Sequence, residues 1–427
     1  MSATTAHKFG GASVKDAAAI KRVAELLQGT LGTEEHAVVV VSAMGKTTNA
    51  LEKVWSLSHD PAEQKMRWQA LLEEHVAVAD ALALPENAKQ ALRTTWTACW
   101  DEAKACEGDR MACYDAMVAA GELAGTQLVA GWLMHCGVDA TWWDVRETLR
   151  TVGPHQFARV EEHLLGEMGT SLRAHFDKHR GERHVVVAQG FIGRHEDGST
   201  STLGREGSDY SVALLAVAVG AEEVTIWKDV PGMMNADPRI HPEAVTVPRV
   251  DHAEAIELSY YGASVIHPRT IKPLRGAGIP LWVKSFKDPQ GPSTCIDAFD
   301  GLVPEVPMFI WREDQARLEV FTQDGSFLAE DHLTTLFEAL DHAGIHVRLM
   351  QQSATHFGLV MDADESKVER LEARLQGALD LQVTRGLKLL TVRHGDHAVV
   401  ERLTQGQRRL IEQRTADTWR LLLAPSR

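Results

Sequence analysis

Three short segments carry residue types that could handle an anionic ligand. Lys8-Phe9-Gly10-Gly11-Ala12-Ser13 sets a lysine beside a glycine pair. Glycines let backbone N–H groups approach an anion, a helix starting just after them would offer its positive end, and Lys8 adds a compact point charge suited to phosphate. Gly198-Ser-Thr-Ser-Thr-Leu-Gly-Arg-Glu-Gly-Ser-Asp209 is dense in hydroxyls and glycine and ends on Arg205, Ser208 and Asp209. Trp227-Lys-Asp-Val-Pro-Gly-Met-Met-Asn-Ala-Asp-Pro-Arg239 brings Lys228, Asp229 and Arg239 among Pro-Gly and Asp-Pro turn signals. Each segment also has a plainer reading, since a Gly-Gly turn is commonly structural and a hydroxyl-rich stretch is commonly a flexible surface loop. Gly45-Lys46-Thr47 imitates the end of a P-loop, but the glycine needed five positions earlier is Val40, which excludes a Walker A site.

The elements around these segments favour the chemical reading, because each follows a run that reads as a strand. Ala37–Val41 is an unbroken β-branched run of the kind buried on both faces of a sheet. An amphipathic helix pattern fills Val14–Leu27, and residues 50–135 are mostly helix-prone. Alternation resumes with a strand at His184–Ala188, a glycine-rich loop to Gly207, a helix through Ala218 and a strand at Glu223–Trp227. Strands alternating with helices predict an α/β fold, an open and mainly parallel sheet sandwiched by helices, which binds ligands beyond the carboxyl ends of its strands. Turn-forming residues at 286–308 mark a domain boundary. The elements beyond it (strand Arg317–Thr322, helix Phe327–Ala343, strands Ile345–Gln351 and His356–Met361, helix Glu365–Leu375, strand Leu381–Thr384) spell βαββαβ, the ferredoxin-like plan. A partial second unit follows, with a strand at Leu387–Val392, a helix near Val399–Arg414 and a strand at Thr418–Leu423.

Composition narrows the function further. The 427 residues hold 44 Lys+Arg against 59 Asp+Glu, a formal charge of −15, with 44% hydrophobic residues. An acidic chain has no overall electrostatic reason to bind nucleic acid or anionic membrane. No apolar run approaches the roughly 18 residues of a membrane span, and no secretory signal pattern opens the chain, so a cytoplasmic protein is expected. Five cysteines form no CxxC, and Cys99, Cys106 and Cys113, seven apart on a helix, stand about 10 Å per step, too far to share an ion. The 20 histidines form no HExxH or Cys/His motif, so no protein-held metal is expected. The tryptophans at 55, 68, 96 and 100 read as core packing.

Taken in order, Lys8-Phe-Gly-Gly, Val41-Ser-Ala, Thr48-Asn49, Gly121-Glu-Leu, Gly204-Arg-Glu-Gly-Ser-Asp-Tyr210, Trp227-x-Asp-Val-Pro-Gly232, Asp237-Pro-Arg239 and Tyr261-Gly-Ala-Ser-Val-Ile-His-Pro268 resemble the aspartate kinases of the amino acid kinase superfamily. The tail resembles their ACT regulatory domains. The resemblance implies a catalytic domain over 1–297, an ACT domain over 308–386, a partial second ACT unit over 387–427, and the reaction ATP + L-aspartate → 4-phospho-L-aspartate + ADP, which opens lysine, threonine and methionine synthesis. By resemblance, Lys8 neutralises the migrating phosphoryl group, Glu122 holds the substrate ammonium, Arg205 clamps its α-carboxylate, and Ser42, Thr48 and Ser208 add polar contacts. ATP, travelling with Mg²⁺, falls to Lys8, Gly10, Gly11, Lys228, Asp229, Met234, Arg239, Ser264 and Val265. Asp209 matches a residue described as a base, but an aspartate β-carboxylate is already ionised at neutral pH. Asp209 is therefore expected to orient Lys8 or a Mg²⁺-bound water.

Several positions depart from the family pattern: Ala12 stands for the usual Thr, Glu206 for a frequent Gly, Met234 for a Tyr and Ser264 for a Lys. In the tail, Ser326, Phe327 and Leu328 resemble a loop that holds an amino-acid effector, and Arg348 stands where lysine-sensitive relatives carry an acid. A cation there should repel lysine, predicting weakened or altered lysine inhibition. The truncated second ACT unit and its edge strands point to a homodimer or higher homo-oligomer. Relatives that phosphorylate glutamate, acetylglutamate, carbamate or a nucleotide fit less well, given Gly121-Glu-Leu and the ACT-like tail. A silent amino-acid sensor is disfavoured by the joint presence of Lys8, Glu122, Arg205 and Asp209.

Overall fold

A computed structural model describes residues 3–106, 108–263, 265–323 and 325–425. They form two compact units, one of 1–233, 246–259 and 264–304, the other of 234–245, 260–263 and 305–427. The first unit carries β1 (Thr4–Phe9), α1 (Ala17–Thr30), β2 (His36–Val41), α2 (Thr47–Ser56), α3 (Pro61–Ala81), α4 (Glu86–Ala105), α5 (Arg110–His135), β3 (Ala140–Trp143), β4 (Arg150–Val152) and β5 (Arg159–Val160). It continues with α6 (Leu165–Met168), α7 (Thr170–Asp177), β6 (His184–Gln189), β7 (Ile192–His195), β8 (Thr200–Thr202), α8 (Gly207–Val219), β9 (Glu223–Lys228), β10 (Arg249–Asp251), α9 (His252–Tyr261), α10 (Pro268–Ala277), β11 (Leu281–Ser285), β12 (Thr294–Asp297) and β13 (Leu302–Val303).

Nine strands make one sheet in the order β13-β10-β12-β11-β9-β1-β2-β6-β3. From β11 to β3 every pairing is parallel. Every residue of β2 and β6 is buried, the result expected of β-branched runs covered on both faces. The chain leaves β1 toward β2 on one side and returns as β9 on the other, so the carboxyl ends of β1 and β9 flank a topological switch point, where open α/β sheets bind ligands.

Three expectations for this unit change. The glycine-rich loop before Gly207 contains the hairpin β7–β8, part of a small sheet β5-β4-β7-β8, and Thr200–Thr202 are buried. The Gly-Gly turn leads into one short 3₁₀ turn at Gly11–Val14, and α1 starts later, with Asp16 accepting a hydrogen bond from the Ala19 amide. The start of α1 is thus capped by its own side chain. A Cβ on Gly11 would lie 2.5 Å from the Gly45 carbonyl oxygen and 2.8 Å from that of Ala43, so glycine here lets the loops after β1 and β2 touch. Three of the four tryptophans pack together, Trp68 at 4.8 Å from Trp96 and 5.2 Å from Trp100 between ring centres, while the half-buried Trp55 meets Tyr114 edge-on at 5.3 Å. Cys99 lies on α4 and Cys113 on α5, with Cys106 just beyond the end of α4, so one helix does not carry all three.

The second unit holds β14 (Met308–Thr322), α11 (Glu330–Ala343), β15 (Leu349–Gln352), β16 (His356–Asp362), α12 (Glu365–Leu375), β17 (Leu379–Arg393), α13 (His397–Leu403), β18 (Arg408–Arg414) and β19 (Thr418–Ala424). Its six strands run β15-β16-β14-β17-β19-β18 with antiparallel pairings throughout. The expected strands Leu381–Thr384 and Leu387–Val392 are one strand of 15 residues, β17, paired along its length with the equally long β14. The stretch expected as helix to Arg414 ends at Leu403, and Arg408–Arg414 is an edge strand. The first half of β14 completes the partial unit by pairing Met308–Arg312 with Leu389–Arg393. Residues 234–245 also belong here: the Phe309 amide donates to the Asn235 carbonyl at 2.7 Å, and Trp311 Nε1 to His241 Nε2 at 3.0 Å.

Candidate active site

Lys8 is the last residue but one of β1, and Lys228 ends β9. Both ammonium groups reach one carboxylate in the first turn of α8: Lys8 Nζ lies 2.6 Å from Asp209 Oδ1 and Lys228 Nζ 3.1 Å from Asp209 Oδ2. Burial alone would raise the pKa of Asp209, but the two lysines outweigh it and hold the carboxyl below its ordinary value. Two cations around one buried anion leave a net positive charge.

Glu122 sits on α5, a helix buried on nearly every side from Ala116 to Ala130. One of its oxygens, Oε2, has no hydrogen-bond partner although the residue is buried. Burial pushes its pKa up to about 8, opposed only in part by a hydrogen bond from the Ala43 backbone and by the charge of Lys8. A buried carboxylate oxygen without a partner is costly unless a ligand supplies one.

A cavity of about 590 Å³ joins these groups, lined among others by Lys8, Gly11, Ser42, Thr48, Glu122, Arg205, Ser208, Asp209 and Lys228. Arg205 is exposed at this wall and forms no ion pair among the described residues. Gly204–Asp209 line the cavity at the start of α8, so the positive end of that helix faces it. Glu206 holds φ +57°, a left-handed conformation that glycine takes without strain, which accounts for the glycine common at this position in the resemblance. Gly10, Asp229, Met234, Arg239 and Val265 do not line the cavity. Met234 and Arg239 belong to the second unit, where the exposed Arg239 pairs with Asp237 at 2.6 Å, and Ser264 lies outside the described residues.

The sequence reading missed several wall residues, including Glu52, Tyr114, Gln156, Phe157, Phe191 and Thr202. Tyr114 donates from its hydroxyl to Glu52 Oε1 at 2.8 Å. The deeper omission is Asp115, fully buried, whose carboxylate accepts from His155 Nδ1, the amides of Gln156 and Thr202, and Thr202 Oγ1 at 2.6 Å. Asp115 thereby ties α5 to β8 and to the loop before β5, setting the cavity wall. Its spacing of seven from Glu122, two helical turns on one face, was the available signal.

In the second unit, Phe327 is exposed, while Leu328 is packed into the core and its amide meets the Ala354 carbonyl. The Ser326 carbonyl accepts from Thr322 Oγ1 at 2.8 Å. Arg348 pairs with Asp362 at 2.6 Å, so its charge is already opposed.

A profile of the amino acid kinase family matches residues 3–285. The lysine-sensitive aspartokinase 3 of Escherichia coli K12 is 31% identical over 404 residues, covering 92% of this chain and 87% of the relative. A bifunctional aspartokinase/homoserine dehydrogenase of Daucus carota is 30% identical, covering 88% of this chain and 42% of that longer protein. Among solved structures, E. coli aspartokinase III with lysine and aspartate in its T-state superposes with a TM-score of 0.83 at 28% identity, covering 98% of this chain and 95% of that one. The R-state of the same enzyme with aspartate and ADP gives 0.79, covering 98% and 96%. An open parallel sheet with a lysine-clamped carboxylate at its switch point, together with the profile match, defines the class: the chain belongs to the amino acid kinase family. Within that family it belongs with the aspartokinases.

Proposed function

We propose that this chain transfers the γ-phosphoryl group of ATP to the β-carboxylate of L-aspartate, giving 4-phospho-L-aspartate and ADP, the entry step to lysine, threonine and methionine. The observation that carries this reading is a single cavity holding a partnerless buried carboxylate, Glu122, beside the Lys8–Asp209–Lys228 cluster. An amino acid with a second carboxylate needs an anion for its ammonium, a fork for its α-carboxylate and cations at its reacting end. Glu122, Arg205 and the two lysines supply these in turn. Ser42, Thr48 and Ser208 give hydroxyl contacts. ATP arrives as its Mg²⁺ complex, a substrate-borne ion, and Lys8, Gly11 and Lys228 at the cavity wall meet its phosphates. That a relative was solved with aspartate and ADP supports both substrates.

Phosphoryl transfer depends on positioning and charge stabilisation. The attacking carboxylate carries no proton to remove, and Asp209 is held ionised between two lysines. Asp209 is therefore a positioning group that aims Lys8 and Lys228 at the transferring phosphoryl. Asp209→Asn should lower kcat by about 10²-fold, the size typical of losing one preorganised electrostatic contact, without a new ionisation in the kcat–pH profile. Appearance of such an ionisation would restore the general-base role.

The ACT-like unit binds an amino-acid effector near Ser326, Phe327, Leu328 and Arg348, and the chain assembles as a homodimer or larger homo-oligomer in the cytoplasm. No helix among the described residues is long and apolar enough to cross a membrane. Arg348 stands where lysine-sensitive relatives carry an acid and keeps Asp362 engaged at 2.6 Å, so the acid that would meet the ammonium of lysine is missing and lysine inhibition is weak or altered. ADP release from Mg-ATP with L-aspartate, beside L-glutamate, with lysine and threonine added in turn, tests the whole reading. Turnover on aspartate alone supports it, equal turnover on glutamate overturns the substrate, and full inhibition by lysine overturns the Arg348 argument.

A further inference from the structure

The sequence reading found no histidine motif, yet the fold gathers His175, His179 and His184 so that one ring nitrogen from each lies within 4.8 Å of the others. His175 and His179 are four apart, one turn, at and just past the end of α7, and His184 opens β6. His175 Nε2 stands 3.0 Å from His184 Nε2. Asp139, directly before β3, lies under two of the rings, its Oδ2 at 2.7 Å from His184 Nδ1 and 3.1 Å from His179 Nδ1. A carboxylate accepts, so both rings carry their hydrogen on Nδ1 and keep an unprotonated Nε2, which in His184 also lies 3.2 Å from Thr141 Oγ1. The two rings are stacked at 3.6 Å between centres, which sets those lone pairs side by side. The Thr141 hydroxyl at 3.2 Å, or His175 through an Nε2 hydrogen, can donate to His184 Nε2, and a metal ion can take the same lone pair.

We propose that His175, His179 and His184 bind one zinc ion through one ring nitrogen each, with Asp139 orienting the rings as an outer partner and the Thr141 hydroxyl displaced from His184. Zinc holds imidazole nitrogen at about 2.0–2.1 Å in a tetrahedron, which places two ligating nitrogens about 3.3 Å apart, close to the spacing of His175 and His184. A carboxylate on the far nitrogen of a metal-bound histidine is the usual arrangement for fixing its tautomer. The other histidine cluster is a weaker candidate: Asp197 already pairs with His195 at 3.0 Å and is tied to Ser199.

The site stands at the amino end of β6, a strand's length, about 17–20 Å, from the carboxyl ends that carry the kinase residues. It joins three elements: the end of α7, β6, and β3, which forms the edge of the nine-stranded sheet. The zinc is thus a staple on a sheet edge and takes no part in phosphoryl transfer.

Calorimetric titration of the chelator-stripped full chain with zinc chloride tests this. The expected isotherm has one tight equivalent, which the double variant His175→Gln/His179→Gln loses by at least 100-fold in affinity, while His195→Gln keeps it. Cobalt(II) in place of zinc should give the intense visible bands of a tetrahedral site in the unaltered chain and in His195→Gln. Saturating zinc should raise the unfolding temperature of the unaltered chain and leave that of the double variant unmoved. His179→Gln alone, at a partly exposed ring, gives a milder second variant that should also weaken the tight equivalent. Absence of a tight equivalent in the unaltered chain, or an isotherm the same as that of the double variant, overturns the proposal.

Discussion

Lys8→Met should lower kcat by about 10²–10³-fold, the range for removing one preorganised charge from a developing anion, with little change in the KM for aspartate. Methionine keeps much of the stem's volume, so the packing of β1 is retained while the ammonium is lost. Asp209 then answers only to Lys228, at 3.1 Å, and the site's net charge falls from positive to zero. Lys228→Met should cost less, since its side chain is 21% exposed against 12% for Lys8 and it stands farther from Asp209. Steady-state kinetics on the two variants, with thermal unfolding as a check on folding, decide the order. Equal losses would mean that the lysines act as one unit.

Glu122→Gln should raise the KM for aspartate by about 10²-fold or more, because a neutral amide cannot repay the desolvation of an ammonium. The same variant should be more stable at alkaline pH. The carboxyl ionises near 4.5 in the unfolded chain and at about 8 in the folded one. Across that interval the folded state keeps a proton that the unfolded state releases, so stability falls as pH rises from about 4.5 to about 8 and is level above it. At pH 7 the penalty is about 3 kcal/mol, and Glu122→Gln removes it. Unfolding midpoints of the two proteins should converge near pH 4 and separate by pH 8. Aspartate, by bringing an ammonium, should restore the ionised carboxylate and release a proton on binding. A KM that falls as pH approaches 8 would be its signature.

Much of this was legible from residue order. β2 and β6 announce themselves because continuous Val runs suit a strand buried on both faces, and Lys8, Glu122, Arg205, Ser208 and Asp209 do meet in one cavity. Other features depend on distance along the chain. Asp115 gains its meaning from Thr202, 87 residues away, and Asp139 from His184, 45 away. Arg408–Arg414 reads as helix because an edge strand with a single buried residue, Ile411, has almost no period-two signal. Thr200–Thr202 read as loop because their hydroxyls are paid off by partners no local pattern reveals, Asp115 and Glu102 among them. Glu206 stands in the sequence only as a departure from a frequent glycine, and its left-handed φ of +57° shows in the structure alone.

The two 15-residue strands of the second unit, β14 and β17, have a mechanical consequence. Each is a beam about 50 Å long at about 3.3 Å per residue, and they are riveted to each other nearly end to end. Helices α11 and α12 load one end through Leu318, Val320 and Leu379, and α13 loads the other through Leu390 and Val392. The register shifts twice between Arg312 and Arg317, on either side of Gln315, so the beam has a soft joint near its middle. Torque applied at one end reaches the other through that joint and through the side-by-side packing of Leu349 and Val360 on Leu387, Leu389 and Ile411, so the plate twists as a hinged pair of panels and not as one rigid slab.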